Sequence, residues 1–196
     1  KEEKIKKLSL AFFIYFIAFT GLTNILIFFL QESLNWTTKA SSGTLVVVGV
    51  IAIIVQGGLI GPLVKQFGEM RLTLIGSGFI LIACSLLITS PKENATINIY
   101  SAVSFLAVGA GLITPTLRAL ISKKLDVDKQ GSILSNLQGL QSLGGVLGIA
   151  MAGRVYDSFG PKSPFIAGSI ILIFMIYLIA EGRNNNSFND QKSKVL

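Results

Sequence analysis

Leu8-Ser-Leu-Ala-Phe-Phe-Ile-Tyr-Phe-Ile-Ala-Phe-Thr-Gly-Leu-Thr-Asn-Ile-Leu-Ile-Phe-Phe-Leu-Gln31 carries no charged residue. A helix rises about 1.5 Å per residue and a bilayer's hydrocarbon core is about 30 Å thick, so about 20 apolar residues cross it. This stretch is long enough. It also lacks the polar side that a surface helix of a soluble protein presents to water. Working outward, the same test finds apolar blocks at 43–64, 72–89, 97–121, 133–155 and 164–180. The third and the last of the six are short and span with help from flanking residues. The charges sit between the blocks. They make up only 14% of the chain, against about 25% in an average soluble domain. The sequence therefore predicts an all-α membrane protein with six transmembrane helices.

The domain reading follows from the blocks. Residues 1–7, Lys-Glu-Glu-Lys-Ile-Lys-Lys, form a charged juxtamembrane segment with no cleavage site, so they are not a signal peptide. Lys1 stands where an initiator Met would, which suggests an excerpt or a processed product. Residues 8–180 are the membrane domain. Residues 181–196, with Asn184-Asn-Asn-Ser187, are a polar tail expected to be disordered. Cytoplasmic loops collect Lys and Arg. One side takes Lys1, Lys4, Lys6, Lys7, Lys65, Arg71, Arg118, Lys123, Lys124, Lys129, Arg183, Lys192 and Lys194; the other takes Lys39, Lys92, Arg154 and Lys162. Both termini are therefore expected in the cytoplasm. Asn35-Trp-Thr37 and Asn94-Ala-Thr96 match the glycosylation sequon on the outer side, a pattern that often arises by chance.

Composition also narrows the chemistry. The chain has no histidine, which removes imidazole ligation of haem or zinc and Ser-His catalysis. Its one cysteine, Cys84, lies in an apolar block and has no intramolecular thiol to pair with. The net charge of +7 sits at block ends, as membrane topology requires, and does not call for nucleic acid. No cofactor or metal is implied, and no nucleophile-base arrangement suggests an enzyme. The acidic residues Glu2, Glu3, Glu32, Glu69, Glu93, Asp126, Asp128, Asp157, Glu181 and Asp190 all lie near block ends, in loops or in tails. Mid-depth carboxylates are the usual proton carriers of transporters; if the chain belongs to a proton-coupled machine, the titrating group lies elsewhere.

Polar stripes mark the faces that avoid lipid. Successive helical residues lie about 100° apart, so Thr20, Asn24 and Gln31 fall within about 40° of one another, flanked by Thr23. An unpartnered amide in hydrocarbon costs several kcal/mol, so this stripe faces another helix or a water-filled cavity. In the fifth block Ser135, Gln138, Ser142 and Gly145 share a face with Gln141 beside them. Gly144, Gly148 and Ala152 form a second face about 100° away, suited to close helix packing. In the fourth, Thr114-Pro115-Thr116 bends the helix because proline cannot bond to Gly111. Ser104, Gly111, Pro115 and Arg118 share a face there. Arg118 either snorkels to headgroups or contacts substrate as part of a gate. In the second, Gln56 stands beside Gly57, and Gly57 with Gly61 forms another close-packing pair.

Two stretches carry a family resemblance. The first is Gln56-Gly-Gly-Leu-Ile-Gly-Pro-Leu-Val-Lys-Gln-Phe-Gly-Glu-Met-Arg71. The second is Pro115-Thr-Leu-Arg-Ala-Leu-Ile-Ser122, followed by Asp126-Val-Asp-Lys-Gln-Gly131, Leu137-Gln-Gly-Leu-Gln-Ser-Leu-Gly-Gly-Val-Leu-Gly148 and Tyr156-Asp157. Together they resemble the C-terminal half of major facilitator superfamily transporters, particularly the tetracycline-efflux-like drug:proton antiporters. Gly61, Gly68 and Arg71 fit the family's cytoplasmic loop signature. Lys65 replaces its acidic residue, Gln66 replaces its first arginine, and Ile149 stands where a proline is common. The resemblance implies a 3+3 inverted repeat and a cavity lined by the first, second, fourth and fifth spans. It implies a missing N-terminal six-span half, or a second copy, as partner. It also implies proton-coupled efflux of a small organic compound or drug across a bacterial cytoplasmic membrane. Fold alone does not fix substrate. Nutrient or metabolite uptake, and a non-transporting or self-pairing six-span module, remain the alternatives. The cavity candidates are Thr20, Asn24, Gln31, Gln56, Thr114, Arg118, Gln138, Gln141 and Ser142.

Overall fold

An apolar block becomes a helix in a bilayer because every backbone N–H must find a carbonyl within its own segment. The computed structural model describes residues 2–90, 95–123 and 127–192, and every regular element among them is helical. Lys1, Lys92, Glu93, Asn94, Lys124, Asp126 and Lys194, invoked by the charge and sequon readings, lie outside the described residues. So do the side chains of Glu2, Lys4, Asp128, Lys129, Arg183, Asp190 and Lys192. The helices are α1 (Glu2–Leu34), α2 (Thr38–Ile54), α3 (Ile60–Phe67), α4 (Glu69–Thr89), α5 (Ala95–Ser122), α6 (Val127–Phe159) and α7 (Ser163–Lys192). A π-helical turn, Val55–Leu59, joins α2 to α3, so the two make one broken span.

The breaks have local causes. Asn35 takes φ 54°, a left-handed conformation that asparagine tolerates better than most side chains. There Trp36 N–H returns to Leu30 C=O at 3.1 Å, and Thr37 Oγ1 accepts from Ala40 N–H at 3.3 Å as the cap of α2. Asn35 of the first sequon thus has a structural use of its own. Gly68, with φ 76°, makes the tight corner between α3 and α4. Ser163 Oγ donates to Val155 C=O at 2.8 Å and to Gly160 C=O at 2.6 Å, stitching α7 to the end of α6.

Helices in lipid gain little from burying apolar surface against one another, so close packing at small residues holds them. Two seams do this. Along α4 and α5, a Cβ added to Gly109 would stand 2.6 Å from Gly76 O, and one added to Gly76 would stand 2.9 Å from Gly109 O. The buried hydroxyls of Thr73 and Thr116 meet at 2.9 Å beside this seam. Along α1 and α6, Gly21 faces Gly148. α1 also packs along α7, where Phe29 and Phe165 meet edge to face at 5.2 Å. Phe12, Tyr15, Phe29 and Phe165 fill the middle of the bundle. At one end Lys7 Nζ lies 3.5 Å from Glu181 Oε1, which puts the start of α1 and the end of the apolar part of α7 on the same side. At the other end Tyr156 donates to Glu32 at 2.6 Å, tying α6 to α1.

Two differences from the expected spans have physical reasons. Five described helical segments are long and apolar enough to cross a membrane, and α6 is not among them. Its amides, serines and glycines lower its hydropathy, yet it packs along α1 as a full member of the bundle. α7 continues through Glu181 to Lys192, where the polar composition suggested a disordered tail. A helix already nucleated by 163–180 extends residue by residue without paying for a new nucleus.

Candidate functional site

The site begins at the proline of α5. Pro115 removes one backbone donor from the ladder, and Gly111, one turn earlier, gives up its side chain to a neighbour. A Cβ there would stand 2.9 Å from Val55 Cγ1, so the π-turn of the α2–α3 span fits against α5 at that point. Three residues beyond the proline stands Arg118, half-buried. Its Nη2 donates to Gln138 Oε1 at 3.2 Å and to Gln141 Oε1 at 2.5 Å, both on α6. Its guanidinium carbon lies 5.9 Å from the centroid of the Phe12 ring on α1, within reach of a cation–π attraction. The side chain is thus held sideways between helices by neutral oxygens and an aromatic face.

One turn deeper, Tyr15 of α1 meets Thr114 of α5 through their hydroxyls at 3.3 Å. Tyr15 is fully buried and stacks on Phe19 at 5.6 Å, with Phe16 edge-on at 5.0 Å. Phe12 completes this aromatic ladder against Phe16 at 4.8 Å. Neither Tyr15 nor Phe12 stood out in the sequence. Their spacing on one face of α1 was the available signal, lost among the aromatics of a wholly apolar block.

The candidates divide into groups. Thr114, Arg118, Gln138 and Gln141 come together at the α1–α5–α6 junction. Ser142 lies beside them, exposed, with its hydroxyl bonded to Gln138 C=O at 3.1 Å. Thr20, Asn24 and Gln31 form a separate group in the other half of α1. Asn24 is exposed and its amide donates to Thr20 C=O at 2.9 Å. Gln56 is exposed on the π-turn. Gly144 and Gly148 are buried against α1, a Cβ at Gly144 falling 3.1 Å from Phe13 O. Gly57 and Gly61, expected to pack closely, have nothing within 4 Å of an added Cβ among the described residues. Gly57 lies inside the π-turn, where a missing side chain eases a widened helix.

In the loop motif, Gly68 supplies the corner, while Lys65 and Arg71 are exposed. The acid of that loop is Glu69, which the sequence reading left without a role. It pairs with Lys123 beyond the end of α5. The Lys123 ammonium that donates to it holds the Glu69 carboxyl below the usual carboxylate range.

A bundle with five helical segments long and apolar enough to cross a membrane is a multi-pass integral membrane protein. The family model described as Major Facilitator Superfamily matches residues 2–149, and the chain belongs to that family, one of transporters and not enzymes. Among its relatives, the class H tetracycline resistance protein of Pasteurella multocida is 29% identical over 131 residues, covering 67% of this chain and 32% of that protein. The class D tetracycline resistance protein of Salmonella ordonez is 29% identical over 156 residues, covering 78% of this chain and 39% of that protein. The chain therefore spans between 32% and 39% of these relatives' lengths. Its fold is shared with a crystal structure of an auto-inhibited POT family peptide transporter at a TM-score of 0.78 and 17% identity, covering 93% of this chain and 37% of the other.

Proposed function

We propose that this chain is the C-terminal half of a secondary transporter that exports a small organic compound in exchange for protons. The cargo is held between this half and an N-terminal six-span half. The observation that carries the reading is a set of exposed polar side chains on otherwise apolar helices: Asn24, Gln56, Gln138 and Ser142 are exposed, while the glycine face of α6 is packed against α1. Amides exposed to lipid would be costly, whereas water between two halves satisfies them. The tetracycline resistance proteins to which the chain is similar support export of a drug-like compound. In this reading the membrane is the bacterial cytoplasmic membrane, with both termini in the cytoplasm. The proton-carrying group belongs to the other half.

The test uses the complete protein in bacterial cells stripped of their own drug pumps. Tetracycline and the cationic dye ethidium are followed inside the cells with and without a protonophore. Lower accumulation that the protonophore restores is the expected result. Accumulation unchanged for every probe tried, with the protein present in the membrane, would sink the transport reading.

A further inference from the structure

The apolar blocks contain two charged side chains, Arg118 and Arg154. Arg154 is exposed near the far end of its helix, whereas Arg118 lies a full turn inside and is half-buried. A cation in that position needs a counter-charge. Among the described residues no carboxylate lies within 4.0 Å of Arg118. Glu69 is taken by Lys123 and Glu181 by Lys7. Glu32 is tied to Tyr156 at the other end of α1. What Arg118 does have is orientation. Two amide oxygens of α6 fix Nη2 from one side, and the Phe12 ring lies near the guanidinium carbon. Neutral amides steer a guanidinium without cancelling its charge. Its Nε is buried with no acceptor, so one edge of the planar fork has an unused donor.

Resting on the transport reading above, we propose that Arg118 is a receptor for an acidic oxygen group on the transported molecule, making the cargo an organic acid. A guanidinium binds carboxylate through two parallel N–H donors, a geometry that lysine cannot copy. Phe12, Tyr15 and Phe16 are buried in the bundle, so this aromatic ladder backs the guanidinium from within and leaves the cargo to approach from the half-exposed side of Arg118. The same fork would also suit a lipid phosphate at the membrane surface, so a test must separate cargo from headgroup.

The complete transporter is expressed in pump-deficient cells loaded with the diacetate ester of carboxyfluorescein, which esterases convert to a trapped organic anion. Ethidium serves as the cationic control. The expected result is export of carboxyfluorescein that falls on the order of tenfold in Arg118→Gln, the scale of losing one partner of a hydrogen-bonded charge pair, while Arg118→Lys retains an intermediate rate. Gln138→Glu keeps the side-chain size and places a carboxylate within reach of Arg118. It is expected to fold and to block carboxyfluorescein export by satisfying the charge from within. Ethidium export without carboxyfluorescein export overturns the anion proposal and leaves the transport reading standing. Export of neither probe, with the protein in the membrane, overturns both. In a parallel arm, purified wild type and Arg118→Gln are placed in vesicles with and without phosphatidylglycerol. If phosphatidylglycerol stabilises the wild type and not the variant while carboxyfluorescein export is unchanged by the substitution, Arg118 holds a headgroup and the proposal is wrong.

Discussion

At the residue scale, the two kinds of polar and small side chain on α6 separate cleanly. Gly148 sits where any Cβ would meet the Ile17 carbonyl, and Gly144 where it would meet Phe13 and Phe16. Overfilling a packed contact costs about 1–3 kcal/mol. Gly148→Leu is therefore expected to lower the yield of monodisperse, detergent-extracted protein severalfold, and Gly144→Leu to do so as well. Gln138 is exposed, so Gln138→Ala leaves no buried partner orphaned except for one of the two acceptors of Arg118, which keeps Gln141. Transport per molecule should change more than yield. A variant that loses yield and transport in proportion would show that Gln138 is packing glue. The angular reading puts these side chains on separate faces because about 100° per residue fixes directions within one helix. It gave no role to Tyr15, because its partner Thr114 is 99 residues away.

At the scale of elements, the α3–α4 corner and the α4–α5 tie are the informative joints. Gly68 has φ 76°, where an L side chain is strained, and Gly68→Ala is expected to cost about 1–2 kcal/mol. A fall in thermal midpoint of the purified protein would register it; an unchanged midpoint would mean the corner relaxes. Glu69 and Lys123 tie the start of α4 to the end of α5 at the bundle's charged edge. Because the Glu69 carboxyl is held below its ordinary value, its contribution is fully present above the ordinary carboxylate pKa and is lost as pH falls through the lowered one. The Lys123 side of the pair is largely exposed and solvent screens it, so its worth is at most about 1 kcal/mol. Wild type is expected to be slightly more stable than Glu69→Gln at neutral pH, with the difference vanishing on acidification through the lowered Glu69 pKa. A difference that grows on acidification would contradict this sign. Glycine pairs in sequence could not say which would be seams. Gly57 and Gly61 have the same spacing as Gly144 and Gly148, but the π-turn and the open space beside it distinguish them.

At the scale of the whole molecule, the Lys7–Glu181 pair places the start of α1 and the end of the apolar part of α7 on one side of the bundle. In the proposed orientation, drawn from the lysine and arginine bias, that side is the cytoplasm. In a background where buried Cys84 is replaced by alanine, cysteines at Lys39 and Lys162 should react with an impermeant thiol reagent from outside intact cells. Cysteines at Lys65 and Lys123 should not. Labelling of position 123 from outside would invert the topology.

The sequence by itself determined the class of protein and its all-helical build, though not where each helix ends. A bilayer imposes a length of apolar chain and forbids unpaired backbone, and both constraints are local. It also fixed which side chains share a face of each helix, since that depends on helical pitch alone. The neighbours of each face were beyond it. Whether Arg118 reaches outward to headgroups or sideways to Gln138 and Gln141 depends on where α6 stands relative to α5. That position is set by α1, whose glycine seam with α6 involves residues more than a hundred positions apart in sequence. Close packing at such seams is a property of two surfaces at once. For that reason only the tertiary structure decided which polar residues are joined, and which are left open on the exposed face.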